Sequence, residues 1–189
     1  MSEEFLGDRK KALEEQFFRK QNEAQLAKLR TQQQAAAQKA ELAHACGISD
    51  EAVLSQLLAL GIQPETVVAL GLVPLVQVAW VDGELSESER KAVLSAATSV
   101  AGLSPGSAPF DLLQSWLSTR PKPALFEAWS AYTRALCESL GENERHQLRD
   151  EILGRARRVA EAAGGILGLG SKISPSEAQL LAELAKVFA

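Results

Sequence analysis

The residues best suited to chemistry in this sequence are the carboxylates of one short acidic stretch. Asp82, Glu84 and Glu89 lie within eight residues of one another, and carboxylate oxygens are the ligands that calcium and magnesium prefer. The same side chains also suit a structural role, because acidic groups stabilise turns and the N-terminal ends of helices. We favour the structural role and keep a divalent-metal site as the alternative. An EF-hand is excluded because its loop needs glycine at the sixth position, where Glu87 stands.

The other catalytic and ligand-binding patterns are incomplete in this sequence. A zinc site built on His44 and Cys46 would lack two further ligands. The glycine-rich run 165–172 is close to a phosphate-binding loop, but its lysine follows the serine instead of preceding it, and the segment before it has a helical pattern. We therefore predict a helix-to-helix connection there. We expect no enzymatic activity and no cofactor beyond the possible divalent metal.

Composition and charge describe an ordinary globular chain. Its 189 residues are 46% apolar and 23% charged, with a formal net charge of −4, which allows a buried core without metal or disulfide staples. Cys46 and Cys137 are too few for a disulfide framework, so we expect buried thiols and a reducing, cytoplasmic compartment. The acidic balance argues against nucleic acid as a partner. The basic residues Arg155, Arg157 and Arg158 point to different sides of their predicted helix.

Neither a targeting signal nor a membrane span is predicted. The first sixteen residues contain no apolar run of the signal-peptide type. The most apolar stretch, 67–81, has fifteen residues and is interrupted by Gly71 and Pro74, whereas a transmembrane helix needs about 20 residues. We expect this stretch to be part of a core.

Helix start and stop signals divide the chain after residue 44. Ser86 with Glu89, and Ser174 with Glu177, form capping boxes in which each side chain binds the other residue's backbone N–H. Ser49 and Pro64 precede two further helices, and Gly61, Gly71, Gly102 and Gly141 end four of them. No segment has the period-two alternation of a strand, so the predicted fold class is all-α, a multi-helix bundle. The helices are predicted near 50–60, 65–70, 72–81, 87–101, 108–117, 124–140, 142–163 and 175–189.

Residues 1–44 form a separate segment, rich in charge and glutamine, that precedes the predicted domain 45–189. They contain no proline, and we predict one helix of up to roughly 38 residues, longer than the domain is wide. Its apolar residues lie on two faces, which suggests two contacts: the helix packs on its own domain, pairs with a second copy, or binds a protein partner. The candidate partner-binding residues are Phe5, Leu13, Phe17, Phe18, Leu26 and Leu29.

A local repeat links the acidic stretch to the end of the chain. The run GELSESERKAVLSAA from Gly83 aligns with SKISPSEAQLLAELA from Ser171, and Ser86 and Glu89 align with Ser174 and Glu177. Independent use of a common helix-start device explains this match without any shared origin.

The residues before the first box carry a family resemblance. The run VAWVDGELSESER, from Val78 to Arg90, resembles the A-x-A-D-G-x-x-s-x-x-E signature of TerB-like tellurite-resistance domains, with Val81 in place of the second alanine. The resemblance extends over roughly 49–189 and implies an all-helical bundle in which the signature occurs twice and its acidic turns associate with divalent metal. The first copy has Asp82, Gly83 and Glu89. The second keeps only Glu177, because Gly170, Ser171 and Lys172 stand at the positions matching Asp82, Gly83 and Glu84.

A second resemblance lies in the N-terminal segment. The run RKKALEEQF, from Arg9 to Phe17, is similar to the opening of the zeta-type inhibitor subunits of bacterial ATP synthases. This resemblance implies, as an alternative function, a regulator that inhibits an ATPase through this helix.

The main hypothesis is a non-enzymatic interaction module of the TerB-like class, acting in a bacterial stress-response or membrane-associated complex. The third hypothesis is a metal-binding domain centred on Asp82, Glu84, Glu89 and Glu177.

Overall fold

The computed structural model describes the backbone of residues 2–99, 101–163 and 173–188, and the side chains of residues 18–99, 101–162 and 173–188. Within these ranges the chain is helical and contains no β-strand, which confirms the all-α prediction. A 3-10 helix, Val67–Leu72, precedes α3. The α-helices are α1 (Ser2–Cys46), α2 (Glu51–Ala59), α3 (Val73–Ala79), α4 (Glu87–Ser99), α5 (Ala108–Ser118), α6 (Pro123–Ser139), α7 (Glu142–Ala163) and α8 (Pro175–Lys186).

The chain divides into two units, Met1–Glu41 and Leu42–Ala189. We call residues 1–41 the arm and residues 42–189 the body. The last turn of α1 belongs to the body, because Leu42 is fully buried and Cys46 is 4% exposed in its hydrophobic core. The arm consists of the rest of α1.

The short helix α3 is central to the body. Pro74 stands in its first turn, where a missing N–H costs nothing, and every residue of α3 except Gln77 is buried. A helix that is apolar on nearly all sides belongs in the interior, and α3 packs against α4, α6, α7 and α8. This confirms that the apolar stretch near 67–81 is core. In the described residues no helix combines the length and the apolarity needed to cross a bilayer.

Further helix contacts complete the body. α7 contacts α3, α4 and α8, α2 contacts α6, and α5 contacts the 3-10 helix. The acidic turn of the sequence therefore connects the central helix α3 to α4, one of the helices that pack on it.

The segment before α3 differs from the prediction. We expected an α-helix from Pro64 that ends at Gly71, but residues 64–66 form a turn and a 3-10 helix continues through Gly71 to Leu72. The hydroxyl of Thr66 accepts a 2.9 Å hydrogen bond from the Gln63 N–H, which holds the turn. The β-branched run Thr66 to Val68 also lowers the α-helical propensity of this segment.

The cap of α2 also differs by one residue. The side chain of Asp50, not that of Ser49, accepts hydrogen bonds from the backbone N–H groups of Ala52 at 2.8 Å and Val53 at 3.0 Å. Both residue types suit this position, so the sequence alone did not distinguish them.

Candidate functional site

The acidic turn between α3 and α4 presents its carboxylates to solvent. Gly83 has φ of +94°, a left-handed conformation that residues with a Cβ rarely adopt, and its N–H donates to the Trp80 carbonyl at 3.1 Å. Asp82, Gly83 and Glu84 are all exposed. The turn therefore places two acidic side chains at the surface.

The first capping box has the predicted geometry. The Ser86 N–H donates to Glu89 Oε2 at 2.8 Å, and the Glu89 N–H donates to Ser86 Oγ at 3.2 Å. The Ser86 hydroxyl also donates to Glu89 Oε2, at 2.5 Å. Glu89 is only 7% exposed, so its carboxylate is held inside the start of α4 by these bonds.

The second capping box, at the start of α8, is equivalent to the first. The Ser174 N–H donates to Glu177 Oε2 at 2.6 Å, and the Glu177 N–H donates to Ser174 Oγ at 3.2 Å. Glu177 is 3% exposed, and Pro175 occupies the first turn of the helix. Residues 170–172, where the second copy of the signature differs from the first, lie outside the described residues. The glycine-rich run 165–172 does so too.

A shallow hollow of about 340 Å³ lies between Val81 and the first turns of α8. Val81, from the first signature, lines it together with the first residues of α8 and their neighbours. The lining residues are Val81, Pro175, Ser176, Gln179, Leu180 and Glu183. The tertiary structure thus brings the end of the segment after α3 to the start of α8.

The four predicted metal ligands have two different environments. Asp82 and Glu84 are exposed in the turn, whereas Glu89 and Glu177 are buried in separate capping boxes. Across the described part of the chain, no three His, Cys, Asp or Glu side chains are grouped so as to hold a metal ion. The divalent-metal site stays a prediction. To coordinate a metal, Glu89 and Glu177 would have to give up their hydrogen bonds in the capping boxes.

Two side chains that flank the acidic turn bind the end of α5. Trp80 Nε1 donates to the Trp116 carbonyl at 2.9 Å, and Arg90 Nη2 donates to the Leu117 carbonyl at 2.6 Å. Both carbonyls belong to the last turn of α5, where backbone acceptors have no intrahelical partner. Sequence reasoning missed this relationship because the partners are 36 and 27 residues apart.

Both thiols are buried, as the sequence predicts. Burial raises the pKa of Cys46 from 9.0 to about 11, and it also raises the pKa of Cys137, an effect that the nearby Arg145 charge opposes. The pKa of Tyr132 is raised to about 12, mainly by burial and to a smaller extent by the charge of the neighbouring Cys46 thiolate. High thiol pKa values make these cysteines poor nucleophiles and poor metal ligands at neutral pH. His44 and His146 are exposed.

The three tryptophans and Tyr132 lie in or beside the core. Trp129 is 1% exposed and stacks on Phe126 with ring centroids 5.5 Å apart, while Phe188 meets it edge-on at 6.2 Å. Trp116 is 9% exposed, and Trp80 and Tyr132 are half-buried with their polar ends in hydrogen bonds. These aromatic residues therefore serve packing.

A larger groove of about 730 Å³ lies between α7 and α8. Its α7 wall comes from one helix face, Asp150, Leu153, Gly154 and Arg157, whose spacing of three and four residues is visible in the sequence. Its other lining residues are Ile173, Ala178, Leu181, Ala182 and Ala185. Sequence reasoning did not select these residues, because this pattern is also that of an ordinary amphipathic helix.

Among the side chains that the structure describes, the most exposed large apolar ones lie on the arm. Phe18 is 61% exposed, Leu26 is 54% exposed and Leu29 is 53% exposed. At about 100° per residue, these three positions fall within about 80° of the helix circumference. Leu26 and Leu29 lie about one turn apart, and Phe18 lies on the same side about two turns earlier, with Asn22 between them. We call these three residues the apolar stripe. The side chains of the other predicted partner-binding residues, Phe5, Leu13 and Phe17, lie outside the described residues.

Comparison of the chain with models of known protein families, with curated proteins and with solved structures finds no match.

Proposed function

We propose that this protein is a non-enzymatic interaction module in which the arm is the docking element and the body is the folded unit that it carries. The observation that supports this most is the apolar stripe, Phe18, Leu26 and Leu29. Each of these side chains is more than half exposed, on one side of a helix.

The energetics of exposed apolar surface favour a docking role. Burying one leucine or phenylalanine side chain contributes roughly 1.5–3 kcal/mol. Single exposed leucines are common on protein surfaces, whereas several large exposed apolar side chains on one side of a helix are typical of an interaction site.

The body contributes a second, independent line of support. It is a helical bundle in which an acidic turn joins a buried helix to a capped one, the arrangement that the TerB-like resemblance implies. A regulatory or scaffolding role, in a stress-response or membrane-associated complex, is consistent with that resemblance.

Site-directed thiol labelling tests the proposal. Because Cys46 and Cys137 are buried, a single cysteine introduced by Leu29→Cys can be labelled selectively with a maleimide. We expect it to be labelled readily in the purified protein and to be protected in intact cells, where the partner covers it. The matched control is Ala27→Cys, which lies on the opposite side of the helix and should label equally in both.

Two results would contradict the proposal. The first is equal labelling of Leu29→Cys in purified protein and in cells. The second is equal protection of both positions, because general occlusion of the helix does not require a specific face.

A further inference from the structure

The groove between α7 and α8 carries one acid and one base at a regular spacing on its α7 side. Asp150 and Arg157 are exposed and lie seven residues, or about 10 Å, apart along the helix, with Leu153 and Gly154 between them. The α8 side of the groove is lined by small residues, Ala178, Ala182 and Ala185. The lining is therefore mainly apolar, with a carboxylate and a guanidinium at its α7 edge.

Neither of these two charges is neutralised across the groove by a described residue. Both hydrogen bonds to Asp150 come from Arg149, its neighbour in the chain, and both end on Oδ1. Arg157 makes no ion pair with any residue that the structure describes. Each side chain can therefore bind a further group of opposite charge.

Gly154 is not required by the fold of the body. It lies in the interior of α7 without a positive φ, and glycine is less stable than alanine at such a position. Among the described atoms, a Cβ built there would meet only Arg158 Nη1, at 3.9 Å, an ordinary contact with the end of a flexible side chain. This glycine leaves room for a close approach from outside the chain.

We propose that this groove binds a second copy of the chain, with the α7 helices of the two copies antiparallel across a two-fold axis. An axis that places Leu153 opposite the partner's Gly154 also places Asp150 opposite the partner's Arg157. The Leu153 side chain of each copy then occupies the space beside the glycine of the other. This inference concerns the body and does not depend on the docking role of the arm.

The order of charges on this face favours a second copy over an unrelated partner. The same side of α7 carries His146 about one turn before Asp150 and Glu161 about one turn after Arg157. In the antiparallel pair His146 lies opposite the partner's Glu161, so acids face bases at each of these positions. A parallel pair would instead place Asp150 against the partner's Asp150, which is unfavourable. A surface that is complementary to itself is the property of a two-fold dimer interface.

Sedimentation velocity of the full-length protein over a range of concentrations tests this inference. We expect a monomer–dimer equilibrium. Asp150→Arg or Arg157→Asp alone should raise the dissociation constant about tenfold or more, because each places two pairs of like charges in the interface. The two substitutions combined restore both pairs in reversed order, so the dissociation constant should return to within about threefold of that of the wild type.

Two further variants separate the interface from the fold. Gly154→Gln should raise the dissociation constant about tenfold or more, yet it should raise the melting temperature of the dilute, monomeric protein by about 1–3 °C, because it removes a mid-helix glycine. The matched control is Arg120→Asp, the same change of charge at an exposed residue that does not line the groove, and it should alter dimerisation no more than about twofold.

Three outcomes would overturn the inference. The first is a protein that stays monomeric up to about 0.1 mM. The second is a dimer that Asp150→Arg and Arg157→Asp leave unchanged, which would mean that the chain associates through another surface. The third is a combined variant that dimerises as weakly as the single ones. Circular dichroism of each variant establishes that its helix content is unchanged.

Discussion

Arg90 Nη2 donates a 2.6 Å hydrogen bond to the carbonyl oxygen of Leu117, and this bond joins the first turns of α4 to the last turn of α5. Trp80 Nε1 binds the adjacent carbonyl, that of Trp116. The acidic turn between Trp80 and Arg90 is thus attached at both ends to one helix terminus. A cation at a helix C-terminus also interacts favourably with the helix dipole.

The substitution Arg90→Ala should lower the free energy of unfolding by about 1–2 kcal/mol, because the Leu117 carbonyl loses a charged donor. Urea denaturation measures the change. The matched control is Lys91→Ala, the next residue, which removes only an exposed 3.7 Å ion pair with Glu87 and should cost no more than about 0.5 kcal/mol. Equal losses in the two variants would show that the contact with α5 contributes no stability.

The capping boxes should contribute equally at the two helix starts. We expect Ser86→Ala and Ser174→Ala each to cost about 1 kcal/mol, because each removes the hydroxyl that accepts a backbone N–H. Ser176→Ala makes the same chemical change at an exposed position two residues after Ser174, and its effect should be within about 0.5 kcal/mol. Thermal or urea unfolding of the three variants checks this. If Ser176→Ala is as destabilising as Ser174→Ala, the box is not the source of the stability.

Two truncations that differ by six residues should behave differently. Removing residues 1–38 leaves Leu42 in the core, so we expect a cooperative transition close to that of the full chain. Removing residues 1–44 takes away Leu42, which is fully buried, and should cost about 2–5 kcal/mol more. Urea unfolding of both truncations measures the difference. Equal stability would mean that Leu42 is not part of the body's core.

Stability should decline at high pH because buried acids resist ionisation in the folded chain. The pKa of Cys46 is raised from 9.0 to about 11 and that of Tyr132 from 10.0 to about 12. In the unfolded chain both groups lose their protons near their ordinary values. Their contribution is therefore complete below pH 9 and is lost as the pH rises toward 12.

Urea unfolding at stepped pH values measures this decline. The variant Tyr132→Phe removes one of the two titrating groups, so its free energy of unfolding should fall less steeply above pH 10 than that of the wild type. Identical slopes for the two proteins would contradict the assignment.

Calorimetric titration decides between the structural and the metal-binding roles of the acidic turn. We expect no saturable heat with calcium, magnesium or zinc, because the carboxylates of Glu89 and Glu177 already accept hydrogen bonds from serine and backbone groups. Asp82→Asn should accordingly leave the melting temperature unchanged in the presence of each metal. Saturable heat that Asp82→Asn abolishes would establish the metal site instead.

The helix starts and stops were predictable because they depend on neighbours in the chain. A capping box needs a serine and a glutamate three residues apart, and both boxes form as the sequence indicates. The ends of α5, α6 and α7 lie within one residue of their predicted positions for the same reason. The errors were also local: Asp50 and Ser49 are nearly equivalent caps, and the Thr66 turn competes with a helix.

The candidate docking face was predictable only in part. Helical periodicity indicated two apolar faces on the N-terminal helix, but periodicity does not distinguish a buried face from an exposed one. The exposed fractions of Phe18, Leu26 and Leu29 made that distinction.

The amino-acid sequence by itself determined the helical class, most of the helix boundaries and the two capping boxes, since these follow from interactions over three or four residues. Only the tertiary structure decided that Trp80 and Arg90 bind the end of α5, that Leu42 belongs to the core, and that Val81 meets the start of α8. Such contacts join residues far apart in the chain, and they depend on how whole helices pack to bury their apolar faces.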